Sequence, residues 1–251
     1  VHLTKPTVHM IGNAHIDPVW LWVWQDGLEV AQSTCRDAIT LLNKYPDYIF
    51  TRSSAAVYSW IERTDPVIFK EIQRLVAEGR WNIVNGWWVQ PDCNIPSGES
   101  LIRQGLYGQP YFKERFGKLA KVGFNVDTFG HCGTLPQILK KCGLDYYVFH
   151  RPGIYEKTLP NDIFRWQSPD GTRIIASRID GYGAGKVEHL EEKVQRALTH
   201  CRETGMDIMC YYGRGDHGGG PAEDLILKVR ELSEKVDDVS ISFSTPDSFF
   251  N

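Results

Sequence analysis

Short apolar runs rich in β-branched and aromatic residues alternate with longer stretches of helical period along the whole chain. Val8–Ala14, Tyr48–Arg52, Trp81–Asn85, Val122–Asp127, Tyr146–His150, Asp207–Tyr212 and Val239–Phe243 read as strands. Between them the spacing predicts helices. Leu28, Ala31, Cys35, Ala38, Ile39 and Leu42 recur at helical intervals over Leu28–Lys44. Ala55–Ala77 is helical with a break near Asp65-Pro66, because proline disfavours helical backbone in the residue before it. Glu99–Phe116, His189–Arg202 and Ala222–Val236 are helical as well, the last with Leu225, Ile226, Val229, Leu232 and Val236 on one face. A short helix is predicted with Thr134 as N-cap, Pro136 in its first turn and Gly143 at its end. Phe164–Ile179 reads as a hairpin insertion with Asp170-Gly171 at the turn.

This alternation of roughly seven β-α units predicts an α/β fold, with a mostly parallel sheet and helices packed outside it. A closed barrel is expected rather than an open sheet, since no early glycine-rich dinucleotide fingerprint appears. At 251 residues, with 42% hydrophobic and 24% charged positions, the chain is long enough for one good core, and residues 1–251 read as one domain. The net charge of −3, from 28 basic and 31 acidic residues, offers no electrostatic footprint for nucleic acid or an anionic membrane. No apolar run approaches the ~20 residues needed to span a bilayer. Val1–Met10 has no basic stretch followed by an apolar one, so no leader is expected. None of the six cysteines forms a Cys-x-x-Cys pair; they read as reduced, mostly buried thiols of a cytoplasmic protein.

In parallel α/β folds chemistry gathers at the carboxyl ends of the strands. His15-Ile16-Asp17 stands past the first strand, and Asp127-Thr128-Phe129-Gly130-His131 past the fourth. His150-Arg151-Pro152 follows the fifth, and Gly213–Pro221 the strand ending at Tyr212. In extended chain residues i and i+2 point the same way, so His15 and Asp17 can both reach one cation at about 2.0–2.2 Å. The bland reading is a strand-end histidine paired with a neighbouring acid. Asp127 ends an otherwise apolar strand, where a carboxylate is costly unless paired or coordinated. Asp216 lies among Gly215 and Gly218–Gly220; the spacing is not that of a phosphate-binding loop, and a plain strand-to-helix turn is the alternative. Trp20, Trp22, Trp24, Trp87 and Trp88 beside carboxylates suit a sugar site, although Trp22 and Trp24 read better as core.

On these residues the sequence resembles glycoside hydrolase family 38, the retaining α-mannosidases. The resemblance is carried by His15-Ile16-Asp17-Pro18-Val19-Trp20-Leu21-Trp22, by Asn85-Gly86-Trp87-Trp88-Val89-Gln90-Pro91-Asp92 and by Asn125-Val126-Asp127-Thr128-Phe129-Gly130-His131 with Leu135–Leu139. Gly215–Pro221 is a looser match. It implies a distorted (β/α)7 barrel and one zinc ion held by His15, Asp17 and Asp127. It further implies Asp127 as nucleophile, and Trp20, Phe129 and Arg151 around the mannose ring. Asp216 matches the acid/base best, although His217 beside it departs from the pattern. The chemistry implied is hydrolysis of terminal α-mannosidic bonds through a glycosyl-enzyme, which needs two carboxyls about 5–5.5 Å apart. The substrate expected is a mannosylated oligosaccharide or small mannoside.

Family members are much longer, and the resemblance places a further zinc-binding histidine beyond the barrel. The chain is therefore expected to be a catalytic domain cut from a multidomain protein, with the fourth protein ligand and any homo-oligomer contacts in the missing regions. Two alternatives stand beside this reading. A metal-dependent carbohydrate deacetylase uses a His/Asp site on a similar barrel, but needs further histidines, and no second His-rich motif is present. An isolated sugar-binding domain without turnover would agree with the truncation.

Overall fold

A computed structural model describes residues 5–215 and 218–251. The chain folds into two compact units, each with its own core. The first comprises the residues up to Thr51, Glu78–Asn82 and Tyr182–Asn251; the second comprises Arg52–Ala77 and Ile83–Gly181.

The first unit is built on β1 (Thr7–Asn13), which is buried along nearly its whole length. Such continuous burial is what a parallel sheet covered on both faces requires. β8 (Ile208–Tyr212) pairs with one edge of β1 over Val8–Gly12. The other edge is divided: β9 (Ser240–Phe243) takes Thr7–Met10, and β2 (Phe50–Ser53) takes Gly12 and Asn13. β3 (Trp81–Val84) extends the sheet beyond β2. The helices of this unit are α1 (Trp24–Lys44), α6 (Val187–Thr204), α7 (Glu223–Lys235) and the short α8 (Pro246–Phe250). α1 buries Ala31, Cys35, Ala38 and Leu42, the stripe expected from the sequence, but it starts four residues before Leu28. The core is aromatic, with Phe50 edge-on to Trp81 at 4.7 Å and Tyr48 edge-on to Phe243 at 5.7 Å.

In the second unit α2 (Ala55–Thr64) and α3 (Pro66–Ala77) meet at the predicted Asp65-Pro66 break, where the Asp65 carboxylate accepts from the Ile68 amide. α4 (Gly98–Phe116) starts at Ser97, whose hydroxyl caps Ser100, and stops at left-handed Gly117. Tyr58 packs edge-on against Phe112 and Phe116 across α2 and α4. α5 (Leu135–Lys141) follows Thr134 as predicted, yet the Thr134 side chain makes no capping bond. The sheet of this unit runs β4 (Val122–Asn125), β5 (Tyr146–Phe149), β7 (Arg173–Arg178), β6 (Ile163–Gln167).

Parallel pairing dominates, as expected, but closure into a seven-unit barrel is not seen. Among the described residues the strands form two sheets, and neither closes. Where β3 gives way to β4, the chain makes a backbone bond from Asn85 N to Val122 O at 2.8 Å, without a ladder. The hairpin turn at Asp170-Gly171 is present, with Gly171 at φ 86°. Its second strand is no insertion, however. β7 pairs in parallel with β5 from Tyr146↔Ile175 to Phe149↔Arg178, so it is an interior strand. All six cysteines are free. No described helix is long and apolar enough to cross a membrane.

Candidate active site

In the first unit the chemistry stands where β1 ends. Two residues past Asn13, His15 is buried, and its Nε2 lies 3.3 Å from Asp17 Oδ1. The i, i+2 pairing predicted for extended chain is therefore realised. The Asp17 side chain keeps 35% of its exposure, so this donor pair is reachable from solvent. The Tyr182 ring stands 5.0 Å from the His15 ring, and its backbone oxygen accepts from the Asn13 amide. Trp22 donates through Nε1 to the Asp17 carbonyl at 3.0 Å, which ties the turn after Asp17 to itself. Trp20 stands edge-on to Trp22 at 5.4 Å and is 63% exposed, leaving an indole face for a ligand. Trp24, expected in the core, is 50% exposed instead.

The glycine-rich segment after β8 is anchored beside this pair. Gly218 N donates to His15 O and Gly219 N to Thr34 Oγ1, each at 2.8 Å. Gly213 is required where β8 meets β1: at φ 128°, a Cβ there would stand 2.2 Å from Asn13 O. The close approach that the glycines permit is thus, at this position, to the protein's own backbone. Asp216, the residue matched to the acid/base, lies outside the described residues, as does His217.

In the second unit Asp127 follows β4 by two residues and is partly buried. Arg151 donates from Nε to Asp127 Oδ1 at 2.8 Å. The same guanidinium stands 4.7 Å from the centre of the Phe129 ring, which is 71% exposed. Arg151, Asp127 and Phe129 therefore form one cluster. The loop carrying Asp127 and Phe129 is pinned by Gln90, which accepts from Val126 N at 3.1 Å, and by Thr128, whose hydroxyl donates to Pro91 O at 3.0 Å. Trp87 is fully buried and belongs to the core.

Sequence reasoning missed two features. Tyr182 carries no motif, and reading Phe164–Ile179 as an insertion hides the end of β7 as a strand end. His131 was noted beside Phe129 without a role. Its ring is bonded at both nitrogens, to Arg151 O at 2.7 Å and to Tyr147 OH at 3.0 Å. Burial holds its pKa below the usual histidine value, against the opposing effect of the Arg151 carbonyl. Cys93, bridged to His131 through the backbone, is pushed up to about 12 by burial, so it is a neutral thiol rather than a nucleophile.

Residues 5–251 match the model of the glycosyl hydrolases family 38 N-terminal domain. The chain is 32% identical over 253 residues to the protein named alpha-mannosidase G of Dictyostelium discoideum, a match covering 98% of this chain and 23% of that protein. It is 31% identical over 250 residues to alpha-mannosidase 2C1 of Mus musculus, covering 98% of this chain and 24% of that one. The chain thus spans under a quarter of the length of these two relatives. Its fold is similar to the crystal structure of an alpha-mannosidase from Enterococcus faecalis V583, with a TM-score of 0.84 at 17% identity, over 98% of this chain and 29% of that one.

Proposed function

The chain belongs to glycosyl hydrolase family 38, and from that premise we propose that it hydrolyses terminal α-mannosidic bonds with retention. The substrate is a mannosylated oligosaccharide or a small mannoside. The observation that carries the reading is the Arg151–Asp127 ion pair beside the exposed Phe129 ring. A carboxylate fixed by a guanidinium, next to an open aromatic face, can both hold a pyranose and attack it.

In the reaction proposed, an Asp127 oxygen forms a bond to the anomeric carbon as the bond to the leaving oxygen breaks. A second carboxyl, for which Asp216 is the candidate, gives its proton to that oxygen. The same group then takes a proton from water, whose oxygen displaces Asp127 and restores the original anomer. Arg151 holds one Asp127 oxygen throughout, which orients the other. Trp20 and Phe129 stack on the apolar face of the sugar.

The donor set fits zinc. Two ligands at about 2.0–2.2 Å from a tetrahedral ion lie about 3.3–3.6 Å from each other, and the His15 and Asp17 donor atoms are 3.3 Å apart. Mixed nitrogen and oxygen donors suit zinc better than calcium. We assign His15, Asp17 and Asp127 as the ligands this chain offers to one ion. When bound, the ion would supply an anchor for the 2- and 3-hydroxyls and would thereby favour the distorted ring.

The test uses the full-length protein with an activated fluorinated mannoside, followed by mass spectrometry of the labelled peptide, and proton NMR of the first product anomer. The expected result is a label on Asp127, absent in Asp127→Ala, and α-mannose released first. A β-anomer, or a label on another residue, would overturn the assignment.

A further inference from the structure

Arg151 can orient Asp127 only if its own backbone is fixed, and the structure fixes it through one imidazole. His131 Nε2 lies 2.7 Å from the Arg151 carbonyl oxygen, and His131 Nδ1 lies 3.0 Å from the Tyr147 hydroxyl. A carbonyl oxygen only accepts, so Nε2 carries the proton. Nδ1 is then an acceptor and takes the Tyr147 O–H, which selects the same tautomer from the other side. Three aromatic rings flank the imidazole in this arrangement. Tyr147, Phe149 and Trp166 stand edge-on to it, at 5.6, 5.1 and 6.0 Å. Its backbone is tied by the Cys93↔His131 bridge and by Cys132 N donating to Cys93 O at 2.9 Å.

We propose that His131 is a positioning residue for the Arg151–Asp127 pair, with Tyr147 setting its tautomer. The line runs from the Tyr147 hydroxyl through the His131 ring to the Arg151 carbonyl, and along the Arg151 side chain to Asp127 Oδ1. Tyr147 is wholly buried on β5, so the line starts from a rigid element. Paired at both nitrogens, His131 is not placed to exchange protons with a substrate. Its effect on the reaction passes through where Arg151 is held. The proposal rests on reading Asp127 as the nucleophile, and its test separates the two.

Glutamine and asparagine divide the two functions of the ring. A glutamine amide reaches the level of Nε2 and can still donate to the Arg151 carbonyl. Asparagine reaches only the level of Nδ1 and keeps the Tyr147 contact alone. His131 also lines a cavity of about 360 Å³, which gives the longer glutamine room to settle. The experiment measures kcat and KM on an aryl α-mannoside for the parent protein, His131→Gln and His131→Asn. It is combined with nitrogen NMR of labelled histidine in the parent protein, assigned with the asparagine variant.

The expected result is an Nε2–H tautomer. His131→Asn should lose about ten- to a hundredfold in kcat with KM little changed, and His131→Gln should regain most of that loss. An Nδ1–H tautomer, or equal kcat in both variants and the parent, would overturn the positioning role. A parent protein without mannosidase activity but with the Nε2–H tautomer would sink the glycosidase reading and leave the placing of Arg151 intact.

Discussion

Arg151 Nε donates to Asp127 Oδ1 at 2.8 Å while its guanidinium lies 4.7 Å from the Phe129 ring centre. One planar cation thus serves both a carboxylate and an aromatic ring, with a fixed donor direction that a lysine ammonium lacks. Arg151→Lys should keep the charge yet lose the fixed direction of the Asp127 carboxylate. The expected loss in kcat/KM on an aryl α-mannoside is about a hundredfold, the scale of a nucleophile displaced by an ångström or so. Steady-state kinetics decide it; a lysine variant as fast as the parent would show that Arg151 contributes charge alone.

The His15–Asp17 donor pair leads to a prediction about metal removal. Dialysis against a chelator should abolish activity of the full-length protein, and added zinc should restore it. Because an ion that binds only the folded state stabilises it by mass action, zinc should also raise the melting temperature of the chelated protein. His15→Ala and Asp17→Asn should lose both the shift and the bound zinc in elemental analysis. Full zinc occupancy in either variant would count against the assignment.

The parts of this picture legible in the sequence are those set by local chemistry. The strand-end His15-x-Asp17 pair follows from the two-residue period of extended chain, and the α2–α3 break follows from Pro66. What was not legible depends on non-local pairing. The division of one β1 edge between β9 and β2 cannot be read from β1 itself, since a buried strand has the same apolar pattern whichever neighbours it takes. Nor does the sequence of Phe164–Ile179 say that β7 will pair with β5, and with that missing, the chain leading to Tyr182 went unnoticed. His131 stands in the recognised motif, but its role needs the distant Tyr147 and Arg151 carbonyl to become visible. Trp24 reads as core from the sequence and is half exposed, because an indole's size does not fix its burial.

Asn85 offers a test of the turn that follows β3. It is fully buried at φ 79°, its Nδ2 donates to Val89 O at 3.0 Å, and its Oδ1 accepts from Phe124 N at 3.2 Å. Asparagine tolerates left-handed backbone better than most residues and here bonds in both directions. Asn85→Ala loses both bonds, leaves the buried Phe124 N–H and the part-buried Val89 carbonyl short of partners and adds backbone strain. The expected cost is about 2–4 kcal/mol in urea unfolding. Asn85→Gly removes the strain but not the lost bonds, so it should lie between alanine and the parent. A glycine variant less stable than the alanine one would mean that the left-handed backbone is not what selects this residue.

His9 predicts how stability depends on pH. It is buried on β1, with Nδ1 2.7 Å from Ser244 Oγ, Nε2 3.4 Å from Asp207 Oδ2 and the Phe249 ring edge-on at 5.4 Å. Serine, histidine and aspartate together have the make-up of a hydrolytic triad, but Ser244 is itself buried and the cluster is structural. Burial lowers the His9 pKa below its usual 6.5 and outweighs the opposing bond and charge of Asp207. That ordering is physically sensible, because the contact to Asp207 is long and the Asp207 side chain is 48% exposed. With the folded pKa depressed, the unfolded chain binds the proton first as pH falls. The contribution is therefore complete above about pH 6.5 and is lost as pH falls towards and through the folded pKa. His131, also depressed by burial, adds in the same direction. The melting temperature should fall between about pH 7 and pH 5, and His9→Gln, which cannot titrate, should show a shallower fall over that range. An unchanged slope in the glutamine variant would place the pH dependence elsewhere in the chain.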